Sequence, residues 1–466
     1  MKTIQRCTGI LGLVITSVLA TPAARAQTTA AKAEARDMEQ VSQLGLNNNG
    51  DGGEGMALQR LADGRRILYL AHEGQKTCLS VVDVSNPKAP VLLAQLPSPG
   101  PAVTRCNSLG LSGNVLAVAN QTLKVGQKPA GMWLLDVSDL DRVKRAHALE
   151  DLKLAFFDTS GPKSRGAHWL WFVDGEFAHL ATGAADFAPS HPQDDQLYMI
   201  VDVKNPRKPH EVGRWWLPGT RTGDSCLPSC LPKRQKIDDG YRAHSIEIYP
   251  QRADRAYVGY IDGGMLILDI AGLADVRTGK AARFTPRLVS RLDYGPPYPS
   301  WCHTVQPLWG RGLAVVSDEA TQDKCGDGAK LIWLVDIREE TNPIIIGTAP
   351  LPDNVGALCT RGGRFGAHNL EPAFPDHVSA QLKNTFVGSF FNGGVRIYRL
   401  IDPALAGAPP QITELAYFVP AAPPGNPTGT IQINHIIVDE NGLIYAADRG
   451  TGGLYILRYT GKEPLD

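Results

Sequence analysis

The chain lacks the features that would assign it to several common functional classes. Its 466 residues carry 47 Lys and Arg against 47 Asp and Glu, so it has no net charge. A neutral chain offers no broad positive field for the phosphates of a nucleic acid. Beyond the N-terminus, no apolar run approaches the roughly 20 residues of a membrane-spanning helix. We therefore expect neither nucleic-acid binding nor a membrane span in the mature protein.

Familiar catalytic signatures are also missing. The sequence contains no G-x-S-x-G nucleophile motif and no C-x-x-C pair of the kind found in zinc ribbons. Helical patterning is weak outside residues 31–40, so no helix is available to open a dinucleotide-binding fingerprint. Function has to be sought in a β-rich chain with 48 Gly and 34 Pro.

The N-terminal segment has the layout of a secretory signal. Lys2 and Arg6 precede a short apolar run over residues 9–20, and Ala24-Arg25-Ala26 is an A-x-A cleavage site. We expect residues 1–26 to be a signal peptide cleaved after Ala26, residues 27–45 to be a flexible leader, and residues 46–466 to be one domain. This predicts a periplasmic or secreted protein.

Cysteine use fits such a compartment. Cys7 leaves with the signal, and the seven remaining cysteines would meet an oxidising environment that favours disulfides. Cys226 and Cys230 flank a three-residue turn and could close a small ring. Because seven is odd, at least one thiol must stay unpaired or bond another molecule.

One unit recurs along the chain: an apolar run rich in Val, Ile and Leu, then in most copies an Asp, and in several an Asn-Pro turn. Its copies are LSVVDVSNPKAP (79–90), MWLLDVSDL (132–140), LYMIVDVKNPRKP (197–209), MLILDIAGL (265–273), LIWLVDIREETNP (331–343), VRIYRLIDP (395–403) and LYILRYTG (454–461). The runs have the length and composition of strands, and Asp, Asn and Pro favour turns. Seven copies predict an all-β fold, a single seven-bladed β-propeller, with six or eight blades as the alternative. We expect the N-terminal strand around residues 56–61 to complete the last, short blade.

The strings VVDVSNPKAP, IVDVKNPRKP and WLVDIREETNP resemble the LVIVD-repeat family, and the resemblance extends over nearly the whole mature chain. It implies a β-propeller. It implies no particular reaction, so function must be argued from the residues.

A histidine begins the equivalent strand in five units. These residues are His168, His244, His303, His368 and His435, and Asn107 holds the same place in the second unit. The first strand of each propeller blade lines the central channel, so equivalent residues form a ring at one depth. Neutral imidazoles bind Fe, Cu or Zn, and the ring predicts a transition-metal site on the channel axis. The alternative is a duplicated structural histidine that bonds a neighbouring blade.

Three carboxylates are candidate catalytic groups. Glu247 and Glu371 follow His244 and His368 by three positions, which on a regular strand puts them on the opposite face from their own histidine. They could instead orient a histidine of an adjacent blade. Asp318 ends the next strand in the most acidic unit and could act as an acid or base.

A second polar set is expected near one mouth of the channel. It comprises Glu73, Asp262, Asn392 and Asp448, with His72 and Arg449 beside them as anchors for an anionic substrate. The alternative for the acidic and amide residues is a local turn cap.

Two functions remain open from sequence. The first is a metal-dependent enzyme acting on a small molecule, with an oxidoreductase favoured over a hydrolase because no acidic metal ligand is visible in the strand register. The second is a non-catalytic propeller that binds a ligand or a protein partner through its loops, with a structural histidine ring.

Overall fold

In the computed structural model, residues 32–225, 240–295, 298, 301–405, 407–426 and 429–466 are described. They form seven antiparallel sheets arranged as the blades of a β-propeller, which confirms the predicted fold class and blade number. Three short helices, Leu140–Arg145, Leu273–Arg277 and Val355–Thr360, lie in connections between strands.

The blades follow one another along the chain, and each is given from its innermost strand outward. Blade 1 is Gly52–Arg60, Arg66–His72, Thr77–Asp83 and Val91–Pro97; blade 2 is Thr104–Arg105 with Leu109–Ser112, then Val115–Thr122, Gly131–Asp136 and Lys153–Asp158; blade 3 is Ala167–Trp171, Phe177–Thr182, Leu197–Asp202 and His210–Trp215; blade 4 is Ile246–Glu247, Arg255–Gly259, Met265–Asp269 and Arg287–Leu292. Blade 5 is Cys302–Leu308, Leu313–Asp318, Ile332–Asp336 and Ile344–Thr348; blade 6 is Thr385–Ser389, Val395–Ile401, Gln411–Val419 and Glu34–Arg36; blade 7 is Ile433–Val438, Leu443–Asp448, Leu454–Tyr459 and Met38–Leu44. In blade 6 the segment 366–372 runs inside Thr385–Ser389. Its backbone hydrogen bonds to that strand include His368 N to Ser389 O (3.0 Å), Ser389 N to Asn369 O (2.9 Å) and Glu371 N to Val387 O (2.9 Å).

The repeated apolar run is the third strand of each blade, if segment 366–372 is counted as the innermost strand of blade 6. In blades 1 to 5 the Asp that ends it accepts a hydrogen bond from the backbone N–H two residues on, at 2.9–3.0 Å, which starts the turn. Alternate residues of this strand enter different cores: Leu79 and Val81 pack toward blade 2, whereas Val82 packs toward blade 7. Because blades stack face to face, both faces of the strand are buried, which explains its unbroken hydrophobicity.

The ring is closed by a different segment from the one predicted. Met38–Leu44 pairs antiparallel with Leu454–Tyr459 and becomes the outer strand of blade 7. The predicted closing strand is wrong, because Gly52–Arg60 is the innermost strand of blade 1. Residues 34–36, predicted to belong to a flexible leader, also form a strand, Glu34–Arg36, at the edge of blade 6. An outer strand is half exposed and therefore polar, so its composition resembles that of a linker.

Two disulfides reinforce the ring. Cys78 and Cys106 join blades 1 and 2, and Cys325 and Cys359 join loops of blades 5 and 6. Among the described cysteines, Cys302 is the one outside a disulfide, whereas Cys226 and Cys230 lie outside the described residues. No helix in the described part of the chain is long and apolar enough to cross a membrane.

Candidate metal centre

Four of the five histidines occupy matching positions on the innermost strands. His168 and His303 each sit where the pairing register of their strand slips by one residue, at a β-bulge. The backbone of His244 bonds Gly259 O at 2.9 Å, and His368 bonds Ser389 O in the same way in blade 6. A bulge re-aims the side chain that it carries. Four adjacent blades therefore direct an imidazole into the channel at one depth.

The four imidazoles surround one carboxylate, that of Glu54. The distances from its carboxylate oxygens to histidine Nε2 atoms are 3.3 Å for His303 and 3.6 Å for His244. The corresponding distances are 3.8 Å for His368 and 4.0 Å for His168. The Glu54 side chain is only 5% exposed. A buried carboxylate thus faces four ring nitrogens from four different blades.

Glu54 reaches the channel through an irregularity in blade 1. Gly52 pairs with His72 and Met56 with Leu70, so residues 53–55 bulge out opposite a single residue. A Cβ on Gly53 would lie 2.5 Å from Asn107 O, and one on Gly55 would lie 2.3 Å from Leu109 N. Only glycine fits at such close backbone approaches. The Gly-Glu-Gly sequence is thus what allows this acid to enter the channel.

Glu319 supplies a second carboxylate above the ring. Its oxygens lie 3.9 Å from His303 Nε2 and 3.7 Å from His368 Nε2. The other contact of Glu319 is with Arg364, whose Nη1 donates to Oε1 at 3.0 Å. Burial raises the pKa of Glu319. The carboxylate is therefore shared between the histidine ring and the channel mouth.

The donor atoms have the spacing of metal ligands. Three buried groups each bring their donor atoms within 4.8 Å of one another: Glu54 with His168 and His244, Glu54 with His303 and His368, and His244 with His303 and Glu319. Ligands about 2.1 Å from one ion lie roughly 3.0–3.4 Å apart. The Nε2 atoms of His168 and His244 are 3.0 Å apart. One ion could therefore be held by these donors after shifts of a few tenths of an ångström.

Several of these atoms have no other partner. Glu54 Oε2, His303 Nε2 and His368 Nε2 are buried and form no hydrogen bond with any described residue. Buried polar atoms are nearly always satisfied, so an orphaned set that converges on one point calls for an explanation. A cation at that point would satisfy all three.

In three of the four histidines the second ring nitrogen has a partner that leaves Nε2 to ligate, whereas His244 Nδ1 forms no hydrogen bond with a described residue. His368 Nδ1 donates to Asn434 O at 2.8 Å, and His168 Nδ1 lies 3.0 Å from the acceptor Gln121 Oε1. His303 Nδ1 lies 2.8 Å from Thr304 Oγ1. An acceptor at Nδ1 fixes the proton there and leaves the Nε2 lone pair for a metal.

Burial also favours the neutral form of three of the four imidazoles. It lowers the pKa of His168, His244 and His368 well below the ordinary value, and neighbouring cationic groups add to this effect. A protonated imidazole cannot ligate a metal, so a site of neutral histidines is already prepared for one.

His435 does not join this set. In blade 7 the register slips between Ile433 and His435, so Asn434 occupies the bulge position that histidine holds in blades 3 and 5. The ring of His435 lies 6.5 Å from that of Trp169, and burial lowers the pKa of His435 to about 3. The sequence alignment was off by one residue here, because the turn that follows the innermost strand varies in length between blades.

Asn107, by contrast, keeps its expected place: its Nδ2 is 3.4 Å from His168 Nε2.

The three predicted catalytic carboxylates lie away from the ring nitrogens. Glu247 Oε2 is 2.6 Å from Tyr249 Oη, which is itself 2.9 Å from Pro372 O. Burial raises the pKa of both Glu247 and Glu371 to about 8. Asp318 accepts hydrogen bonds from Tyr294 Oη and Trp333 Nε1 and caps the turn at Leu331. Glu247 and Asp318 thus bond groups within the fold, whereas neither carboxylate oxygen of Glu371 forms a hydrogen bond with a described residue.

Most of the predicted rim is also used for local structure. Asp448 accepts from the N–H groups of Gln432 and Gly452, each at 2.6 Å, and Asp262 accepts from Gly240 N at 2.6 Å. Two further rim residues behave alike. Asn392 Nδ2 donates to two backbone carbonyls, and His72 is enclosed between Asp51 and Ser80. Glu73 and Arg449 do face the channel, where Arg449 Nη2 donates to Glu73 Oε1 at 2.7 Å.

Aromatic side chains close the channel below the ring. The Trp169 ring lies 5.9 Å from that of His244 and 6.2 Å from that of His303. Farther along, Trp171 packs against Tyr249 at 5.3 Å and Phe374 at 5.2 Å between ring centroids. We call Trp171, Tyr249, Trp309 and Phe374, which come from blades 3 to 6, the channel floor. Access to the histidines is therefore from the Glu73 and Arg449 side, the channel mouth.

Comparison with known proteins places this architecture among β-propellers. The solved structures similar to this chain include Chaetomium thermophilum Raptor (TM-score 0.50, 13% identity), whose match covers 91% of this chain and 29% of Raptor. They also include the β-propeller domain of Cps50 (Swd1) from Myceliophteria thermophila (TM-score 0.48, 15% identity, 87% of this chain and 96% of that one) and the C-terminal WD40 domain of Sif2 (TM-score 0.48, 9% identity, 91% and 99%). At these identities the likeness shows the fold alone.

The particular repeat is identified by a family match. The family described as LVIVD repeat matches residues 69–96, which span the second, third and outer strands of blade 1. The chain is thus a seven-bladed β-propeller in which this segment of blade 1 matches the LVIVD repeat, the family that the sequence resembles. No curated protein matches it.

Proposed function

We propose that this protein is a metal-dependent enzyme of the oxidoreductase class that works outside the cytoplasm. One transition-metal ion binds where Glu54 meets the Nε2 atoms of His168, His244, His303 and His368. The convergence of four imidazoles on one buried carboxylate, whose Oε2 forms no hydrogen bond with a described residue, carries the proposal.

The donor set favours iron. Glu54 with two histidines is found twice around the ring, and two histidines with one carboxylate are the ligands of non-haem Fe(II) sites that keep open positions for reactants. The sequence analysis favours an oxidoreductase because no acidic metal ligand is visible in the strand register. Glu54 is an acidic candidate ligand, so that reason no longer holds. The preference now rests on the mixed set of imidazoles and carboxylate. Two disulfides are compatible with an oxidising compartment.

Elemental analysis of the protein purified from the periplasm tests the proposal. We expect about one Fe, Cu or Zn per chain in the wild type, with iron the element that supports the assigned class. The metal should be lost in His303→Ala and retained in His179→Ala. His179 is a matched control because it is equally buried but bonds Tyr198, at 2.7 Å, within blade 3.

The outcomes separate the two functions left open by the sequence. Metal in the wild type that disappears only with His303 supports the enzyme. No metal in any of the three proteins, with His303→Ala merely less stable, makes the histidine ring structural and directs the search toward binding partners.

A further inference from the structure

At the channel mouth two guanidinium groups share one carboxylate. Arg105 and Arg449, from blades 2 and 7, both donate to the same oxygen, Glu73 Oε1. The Glu73 side chain is 10% exposed, whereas the two arginines are 20% and 27% exposed. The carboxylate is thus buried beneath two cationic groups that reach solvent. One of the two positive charges has no counterpart in this triad.

These arginines stand directly above the proposed metal site. Arg105 Nη2 lies 3.3 Å from His168 Nδ1, and Arg364 contacts Glu319, which in turn lies 3.7 Å from His368 Nε2. Burial opposes the ionisation of Glu73, but Arg449 and Arg105 hold the pKa of this carboxyl below its ordinary value. Glu73 therefore stays charged and keeps both guanidinium groups in place.

Anions are the ligands that suit such an arrangement. Guanidinium groups bind carboxylate and phosphate oxygens through paired, charge-assisted hydrogen bonds. A molecule that reaches the metal from solvent has to pass these groups, because the channel floor closes the other end.

We propose that Arg105 and Arg449 bind an oxyanion, a carboxylate or phosphate group of the substrate, next to His168 at the channel mouth. This inference rests on the proposed function in so far as it calls the bound molecule a substrate. The anion site itself does not require the metal. An anion site formed by Arg105 and Arg449 would select small acidic molecules over neutral ones of the same size.

Titration calorimetry on the full mature chain, stripped of metal, tests the inference with two probes, inorganic phosphate and succinate. We expect Arg449→Gln to weaken binding of at least one probe by about tenfold or more, because a charge-assisted hydrogen bond is lost. Arg449→Lys should recover part of the affinity. Arg338→Gln, a matched control whose arginine is 74% exposed and paired with Asp336, should bind like the wild type.

A second variant changes the affinity in the opposite direction. Glu73→Gln removes the carboxylate that competes with the anion, so we expect tighter binding. Unchanged affinity in both Arg449→Gln and Glu73→Gln would overturn the inference. Failure of both probes to bind the wild type would also overturn it. Preference for phosphate or for succinate identifies the head group. If the anion binds in this way while elemental analysis finds no metal, the enzyme proposal fails and the anion site stands.

Discussion

The two ends of the channel are built from the same seven strands but have opposite chemistry. At the mouth, histidines converge on Glu54 and Glu319 beneath a layer of arginines, and several polar atoms form no hydrogen bond with a described residue. At the floor, Trp171, Tyr249 and Phe374 pack against one another. Burial raises the pKa of Glu247 and Glu371 near the floor and of Glu319 at the mouth, whereas the two arginines lower the pKa of Glu73. The comparison teaches that the floor is formed by packed aromatic rings, while the mouth gathers charged and metal-ligating groups around one point.

Removing the floor should cost the most stability and leave the site intact. Trp171 is 2% exposed and donates from Nε1 to Ile248 O at 3.0 Å. Trp171→Ala should lower the free energy of unfolding by about 3–5 kcal/mol, as large-to-small changes of buried aromatic residues do. Urea titration measures the loss, and Trp171→Phe should lose less. Loss of the metal from a folded Trp171→Ala variant would contradict the claim that the floor and the metal site are independent.

The acids near the floor should make stability depend on pH. Glu371 has a pKa of about 8 in the folded protein against an ordinary 4.5, because burial disfavours its charge and Asp376 adds to this effect. Folding then requires proton uptake between these values, so stability falls as pH rises from about 4.5 to 8, by at most roughly 1.4 kcal/mol per pH unit. Glu371→Gln cannot titrate and should lose part of this slope.

Unfolding free energies at pH 5 and pH 8 measure the effect. Glu39→Gln, in the outer strand of blade 7 and 56% exposed, is the control and should keep the wild-type slope. Equal slopes in the wild type and Glu371→Gln would mean that Glu371 is already ionised in the folded protein.

At the mouth, the sharpest change is Glu54→Gln. The substitution keeps the shape of the side chain but removes the charge that faces four Nε2 atoms. We expect metal affinity to fall by about 100-fold or more. Even the mutation of a residue that only hydrogen-bonds to a metal ligand lowers metal affinity by roughly 10–100-fold. Competition with a chelator measures it. Glu247→Gln, the same change near the floor, should leave metal affinity as it is, and a comparable loss there would remove the distinction between the two ends.

The sequence predicted the architecture better than the site, for identifiable reasons. The blade count follows from the repeated apolar run, which occurs seven times and ends in Asp in six of its copies. Four histidines were found because they recur, but His435 was misaligned because the bulge and turn lengths vary between blades. Glu54 was missed since it occurs once, on a bulge that no other blade repeats. Its one signal was an acid between two glycines at the start of an inner strand.

The smallest effect concerns the residue that orients His168. Gln121 is fully buried, and its Oε1 accepts from His168 Nδ1 at 3.0 Å and from Arg105 Nε at 2.8 Å. Gln121→Met keeps the volume but removes the acceptor, so the Nδ1 proton is no longer fixed and Nε2 is ready to ligate for only part of the time. We expect a loss of metal affinity of about tenfold.

Nitrogen chemical shifts of His168 in the metal-free protein would show the change directly, because a mixture of tautomers should replace one form. Gln306→Met, a buried control on the innermost strand of blade 5, should alter neither the shifts nor the affinity. If Gln121→Met changed the tautomer without changing metal affinity, His168 would not be a ligand. The ion would then be held by His244, His303 and His368 with the carboxylates, on the side of the ring away from Arg105.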